Sequence, residues 1–272
     1  MKFQQLDSPS GPVVLHYRDH GEKTAPTLVF ANSLGTDFRI WDALIDGLAA
    51  ALDRPLRVIC YDKRGHGLSD APASPYAMSD HVDDLEALLD HLAVTAAVVV
   101  GLSVGGMIAQ GLATRRADLV KALVLCDTAA RIGSLDLWQP RIDAVAAGGI
   151  DSISDAILGR WFSQEFRDQR RAELAGYHAM LTRTPLAGYL GTCHALMTTD
   201  YTHSTRALKL PTLCVVGSED GSTPPELVQA TAKLIDGAVF AEIEGVGHLP
   251  CVEAPEALLL LLTDFLEDNE LV

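Results

Sequence analysis

Ser103 stands in Gly101-Leu102-Ser103-Val104-Gly105, a G-x-S-x-G string. Such a string does chemistry when it joins a strand to a helix. Glycine on both flanks permits a sharp, strained turn, and the hydroxyl is presented at a helix N-terminus that favours developing negative charge. The apolar residues 96–100 precede it and the small-residue segment 105–114 follows. A phosphate-binding turn is the other use of such a segment, but the spacing is not G-x-G-x-x-G and the turn comes late in the chain. A serine hydroxyl needs a base to become a nucleophile. Of nine histidines, His248 is the best placed, in the glycine-flanked loop Glu244-Gly245-Val246-Gly247-His248-Leu249-Pro250. The acid that orients the base precedes it in the order Ser…Asp/Glu…His. Asp220, followed by Gly221 and Pro224, is preferred; its neighbour Glu219 and Asp127 are the alternatives. An oxyanion needs two backbone N–H donors. Val104, directly after the serine, is one, and Leu34 in the turn Asn32-Ser33-Leu34-Gly35 is the other, with the side chains of Asn32 and Ser33 in reach. His178, His194 and His203 lack metal-ligand spacing, so no zinc site is expected.

These groups work only if the elements around them end at one place. Residues 12–17 and 27–31 read as strands. Residues 38–52 read as a helix, with Ile40, Trp41, Leu44, Ile45 and Leu48 at helical spacing. A strand at 57–61 and a helix at 81–92, capped by Ser79 and apolar along Val82, Leu85, Leu88, Leu89 and Leu92, come next. Short buried strands at 96–100 and 122–126 flank the small-residue helix 105–114. Strands apolar on both faces and separated by helices specify an α/β fold, a mostly parallel sheet covered on both sides. The alternation breaks after Asp127. Helical segments at 141–147, 153–162, 167–181 and 185–196 follow without a strand, and Trp138, Trp161 and a turn region at Gly188 and Tyr189 fall among them. Alternation returns with a strand at 212–217, a helix at 225–235, a strand at 238–243 and a helix at 255–266. The expected organisation is a core of 1–129 and 208–272 with a helical cap of 130–207 inserted in it.

A chain of 272 residues with 48% hydrophobic and 21% charged content has the composition of a globular protein with one large domain, or one domain with an insert. The net charge of −15 and the lack of any Lys/Arg run exclude nucleic acid and anionic membrane surfaces as expected partners. An anionic small molecule remains compatible, because one local arginine outweighs a distant net charge. The five cysteines are scattered without a CxxC pair, and residues 1–7 contain no apolar signal segment, so reduced thiols and a cytoplasmic location are expected. The uncharged stretch 92–114 is long enough to span a membrane. Its Gly101, Ser103, Gly105, Gly106, Gln110 and Gly111 fit a buried strand, turn and helix better.

The order of elements, the turn at Ser103, Asp220, His248 and the helical insert resemble the α/β-hydrolase superfamily over nearly the whole chain. Asp62-Lys63-Arg64-Gly65-His66-Gly67-Leu68-Ser69 is similar to that superfamily's D-x-R-G-x-G-x-S loop, which is mostly structural. Within it, Asn32-Ser33-Leu34-Gly35-Thr36-Asp37, Thr128-Ala129-Ala130-Arg131-Ile132-Gly133, Arg160-Trp161-Phe162 and Gly188-Tyr189-Leu190-Gly191-Thr192-Cys193 resemble the 3-oxoadipate enol-lactonase family, lactone hydrolases of the β-ketoadipate pathway for aromatic compounds such as protocatechuate and catechol. The resemblance implies hydrolysis of 3-oxoadipate enol-lactone through an acyl-enzyme on Ser103, with no metal or organic cofactor. It also implies a small-molecule lactone that carries a carboxylate, for which Arg131, Trp138 and Trp161 are the candidate contacts. A broad carboxylesterase or a perhydrolase-like enzyme on the same fold is the alternative, and a non-catalytic ligand-binding member is a third.

Overall fold

The computed structural model describes residues 1–52 and 54–272. Eight strands form one sheet: β1 (Lys2–Ser8), β2 (Gly11–His20), β3 (Thr27–Ala31), β4 (Arg57–Tyr61), β5 (Ala97–Leu102), β6 (Val120–Cys126), β7 (Thr212–Gly217) and β8 (Val239–Ile243), in the order β1-β2-β4-β3-β5-β6-β7-β8. β3 to β8 are parallel, while β2 runs antiparallel to both β1 and β4. Every residue of β3, β4, β5 and β7 is buried, as strands covered on both faces must be. Helices α1 (Asp42–Ala51), α2 (Met78–His91), α3 (Val104–Arg115), α10 (Pro225–Ala232) and α12 (Pro255–Asp268) connect or close these strands. Between β6 and β7 lie only helices: α4 (Leu135–Gly148), α5 (Ser154–Trp161), α6 (Gln164–Gln169), α7 (Arg171–Thr182), α8 (Leu186–Thr198) and α9 (Thr202–Thr205).

Register places the loops that could do chemistry. Ala31 pairs with Gly101, so the segments after β3 and β5 leave the sheet side by side. Leu102 pairs with Cys126, Cys126 with Val215, and Gly217 with Ile243. The carboxyl ends of β3, β5, β6, β7 and β8 thus deliver their following residues to one edge, where open α/β sheets place their sites.

Several local expectations need correction. β1 has a polar and mostly exposed sequence, KFQQLDS, so no apolar pattern announces it; its pairing with β2 through Ser8 and Gly11 makes it a strand. The segment 38–52 begins as a 3-10 turn, Phe38–Trp41, before α1. Ser79 is not the cap of α2. The helix starts earlier, after Ala77, whose N–H donates to the Asp80 carboxylate at 2.9 Å. The segment 167–181 is two helices, α6 and α7, broken at Arg170. Gly188 and Tyr189 lie inside α8 rather than in a turn, and the glycine is there for close approach: a Cβ on Gly188 would sit 2.0 Å from the Gly65 carbonyl oxygen. A short helix, α11 (Pro250–Glu253), follows the His248 loop. All five cysteines are buried, free thiols. No helix among the described residues is long and apolar enough to cross a membrane.

Candidate active site

Ser103 sits between β5 and α3 at φ +56° and ψ −119°. A non-glycine residue rarely adopts positive φ, and the strain persists only where the surroundings enforce it. They do so by close approach. A Cβ on Gly101 would lie 2.4 Å from the Gly105 carbonyl oxygen, and one on Gly105 would lie 2.0 Å from the Ala31 carbonyl oxygen on β3. The second contact is between α3 and β3, so the second glycine of the motif is needed for packing against β3 as much as for the turn. The Ser103 N–H donates to the Cys126 carbonyl at 3.0 Å, and the Thr128 hydroxyl donates to the Ser103 carbonyl at 2.6 Å.

His248 and Asp220 meet across the ends of β8 and β7. The His248 Nδ1–H donates to Asp220 Oδ2 at 2.8 Å, with both side chains buried. Asp220 Oδ1 accepts the N–H groups of Ser222 at 2.7 Å and Thr223 at 3.0 Å, and Oδ2 also accepts the Thr223 hydroxyl at 2.7 Å. Burial alone would push this carboxyl up. The imidazole and the Thr223 and Ser222 donors overcome that and hold it below the ordinary range. The His248 loop is fastened from the helical insert, since its N–H donates to the Trp161 carbonyl at 2.8 Å. Glu253 reinforces the same joint by accepting the N–H groups of Gly247 and Ser163, each at 3.2 Å. Glu219 is exposed and accepts the Gln164 N–H at 3.4 Å, away from His248. Asp127 is fully buried at the end of β6 and accepts the Gly217 N–H at 2.9 Å. Asp127, Asp220 and His248 bring one donor atom each within 4.8 Å of one another, and the bond between His248 and Asp220 accounts for much of that closeness.

The turn after β3 is pinned rather than free. The Thr36 hydroxyl donates to the Ser33 carbonyl at 3.0 Å, and the fully buried Lys63 ammonium donates to the same oxygen. Burial pushes the Lys63 amine well below its ordinary value, against the opposing pull of Asp62 and Asp37. The Gly35 N–H donates to His66 Nε2 at 3.0 Å, and Arg64 grips Asp84 through Nε at 2.6 Å and Nη2 at 2.5 Å. The loop from Asp62 to Ser69 therefore works as scaffold, as its pattern implied. The Asn32 amide is turned onto the Thr36 carbonyl and fastens the turn instead of facing the cavity. The N–H groups of Leu34 and Val104 have no backbone acceptor among the described residues.

A cavity of about 370 Å³ brings these parts together. Ser33, Leu34, Ser103, Ser222 and His248 line it from the core, and residues of α4 and α5 line it from the helical insert. Of the three candidate contacts, Trp138 and Trp161 are in its wall. Trp138 is held by its indole N–H, which donates to the Ile132 carbonyl at 2.7 Å. Arg131 is not in the wall: it is exposed and faces Asp200 at 3.5 Å on the surface. The correction follows from helix phase and loop path, which a linear motif does not reveal. Two arginines outside those candidate contacts take its place in the wall, Arg141 on α4, which sequence reading missed, and Arg160 on α5, part of the Arg160-Trp161-Phe162 string. The half-buried Arg141 donates through Nε to the Tyr189 hydroxyl at 3.0 Å and stacks on the Trp138 ring at 5.1 Å. Its Nη1 has no partner, and no Asp or Glu lines the cavity, among the described residues. A larger groove, about 920 Å³, lies beside Asp62 and α7. It contains neither Ser103 nor His248 and its width alone does not make it the site.

The sequence matches the alpha/beta hydrolase family over residues 28–259. It is 32% identical over 245 residues to 3-oxoadipate enol-lactonase 2 of Acinetobacter baylyi, covering 90% of each chain. Among solved structures, the enol-lactonase from Burkholderia xenovorans superposes with a TM-score of 0.91 at 33% identity, covering 98% of this chain and all of that one. An esterase from Thermogutta terrifontis superposes at 0.90 with 26% identity, covering 99% of each. With the strand order, the turn at Ser103 and the dyad of His248 and Asp220 already in place, this extent of matching shows that the chain belongs to the alpha/beta hydrolase family.

Proposed function

We propose that this chain is a serine hydrolase that opens 3-oxoadipate enol-lactone to 3-oxoadipate. The observation that carries the reading is one cavity in which Ser103, His248 and the Leu34 turn face two arginines and, among the described residues, no carboxylate. The similarity to enol-lactonases over 90% of the chain supports it. Ser103 is the nucleophile, His248 the base and Asp220 the residue that orients it. His248 takes the Ser103 proton as the oxygen attacks the lactone carbonyl, and the resulting oxyanion lies on the N–H groups of Leu34 and Val104. The ring oxygen departs with a proton from His248 as an enol, which becomes a ketone, so ring opening does not reverse readily. Water, deprotonated by His248, then releases the acid and restores Ser103. Arg141 and Arg160, rather than Arg131, meet the carboxylate, and Trp138 and Trp161 wall the apolar part. Residues 130–207 act as a cap over a core of 1–129 and 208–272.

The test is loss of enol-lactone generated in the cuvette, measured beside p-nitrophenyl acetate for the wild type and Ser103→Ala. Rapid lactone loss that disappears in Ser103→Ala is expected. Hydrolysis of the ester without the lactone would move the function to a general esterase, a reading that likeness to the Thermogutta esterase favours. Tight lactone binding without turnover would make it a binding protein.

A further inference from the structure

One buried ionisable group has no part in the reaction just described. Asp127 is fully buried directly after β6, at φ +46°. Aspartate is among the few non-glycine residues that tolerate this region, so the position keeps a strained backbone and a carboxyl in a dry interior. Its backbone N–H donates to the Val215 carbonyl at 2.8 Å, and Oδ1 accepts the Gly217 N–H at 2.9 Å. Oδ2 is buried without a partner among the described residues. The groups that act on it are Asp220 and Glu253, both acidic, with Cys126, Cys251 and His248 close by. No Lys or Arg faces it among these.

Two carboxyls this close cannot both ionise in a low-dielectric site, and the pair shares a proton. The donors decide which one keeps it. Asp220 accepts four hydrogen bonds, including the one from the imidazole. Asp127 accepts one and has an oxygen to spare. We infer that Asp127 is a neutral carboxylic acid whose proton, on Oδ2, is directed at the Asp220 carboxylate, making it a positioning residue for the acid of the triad. Burial first, and then the adjacent Asp220, push the Asp127 carboxyl well above its ordinary value, which agrees with the geometry. A neutral neighbour ties the end of β6 to the loop after β7 and adds no second negative charge beside His248.

The inference rests on the triad reading above, and its test separates the two. Asp127→Asn keeps a neutral group of the same shape with an N–H donor. We expect kcat to fall by no more than about threefold to tenfold, as one hydrogen bond is exchanged for a poorer one, while the acid limb of kcat/KM stays at the same pH. A displacement of that limb downward by about one pH unit would show that a charge had been removed, and would overturn the inference. Infrared difference spectroscopy of the wild type against Asp127→Asn needs no activity: a protonated-carboxyl C=O band at neutral pH should be lost. If the variant does not fold, carboxyl bands of the wild type followed from neutral to alkaline pH decide the matter, since a spectrum with no protonated carboxyl at neutral pH refutes the neutral acid. Full activity in Ser103→Ala would defeat the triad reading and leave the infrared result standing.

Discussion

Replacing Arg141 by Met separates charge recognition from hydrolysis. The side chain lines the cavity, is half-buried and has Nη1 unpartnered among the described residues. A substrate carboxylate at about 4 Å would gain about 4 kcal/mol at an effective dielectric of about 20. Half-exposure and the loss of hydration by both ions reduce this, leaving about 2 kcal/mol, in line with hydrogen bonds to charged groups at about 1.5–3 kcal/mol. At about 1.4 kcal/mol per factor of ten, Arg141→Met should lose about 30-fold in kcat/KM on the enol-lactone, mostly through KM. On p-nitrophenyl acetate, which has no carboxylate, the change should stay below about threefold. Because Arg141 also holds Tyr189, Tyr189→Phe is the control: it removes the hydroxyl and keeps the cation, so the lactone preference should survive. Arg160→Met, at an exposed position, should cost at most about fivefold. Salt should weaken wild-type lactone binding more than that of Arg141→Met. Equal losses on both substrates, or an unchanged lactone rate, would refute the assignment of Arg141 to the carboxylate.

Ser103→Ala should lower kcat by about three to six orders of magnitude and leave circular dichroism and the unfolding midpoint near those of the wild type. Gly105→Ala should destabilise the fold by about 3 kcal/mol or more in urea titration, because its Cβ meets the Ala31 carbonyl oxygen at 2.0 Å; near-wild-type stability would show that β3 yields. Lys63→Met removes the buried donor to the Ser33 carbonyl and should lower kcat about tenfold on lactone and ester alike, as the donor turn loosens. Asp127 is raised in the folded state, so its contribution to stability is full below the ordinary carboxyl value and is lost as pH rises toward the folded one. Thermal unfolding between about pH 5 and 9 should therefore move in favour of Asp127→Asn as pH increases, and a constant difference would contradict the raised value. Asp220 has the opposite sign: it stabilises above the ordinary carboxyl value, and this is lost as pH falls through its depressed one.

Much of the site is legible in the chain because its parts are local. The turn at Ser103 needs small residues at two fixed offsets, and the strands on either side of it are short apolar runs. Arg57–Tyr61 and Thr212–Gly217 have the bounds their apolar pattern predicts. The polar edge strand β1 has no such pattern, and no glycine or proline marks the break between α6 and α7 at Arg170. Arg131 lies in the loop after β6 and Arg141 on α4, and of the two only Arg141 lines the cavity. A linear string such as residues 128–133 carries no information about which arginine turns toward the cavity.

The turn at Ser103, the loop of His248, the parallel sheet and the helical insert were legible in the sequence alone, because each rests on spacing of a few residues or on apolar period. Tertiary structure decided which acid faces His248, that Gly105 must admit β3, and that Arg141 rather than Arg131 reaches the cavity. It also placed a second carboxyl, Asp127, against the first. These outcomes depend on strand register and helix phase, which bring residues ninety positions apart within hydrogen-bond distance, as with Asp127 and Gly217. Long-range geometry of that kind is set by the packing of the whole core, and no short window of sequence contains it.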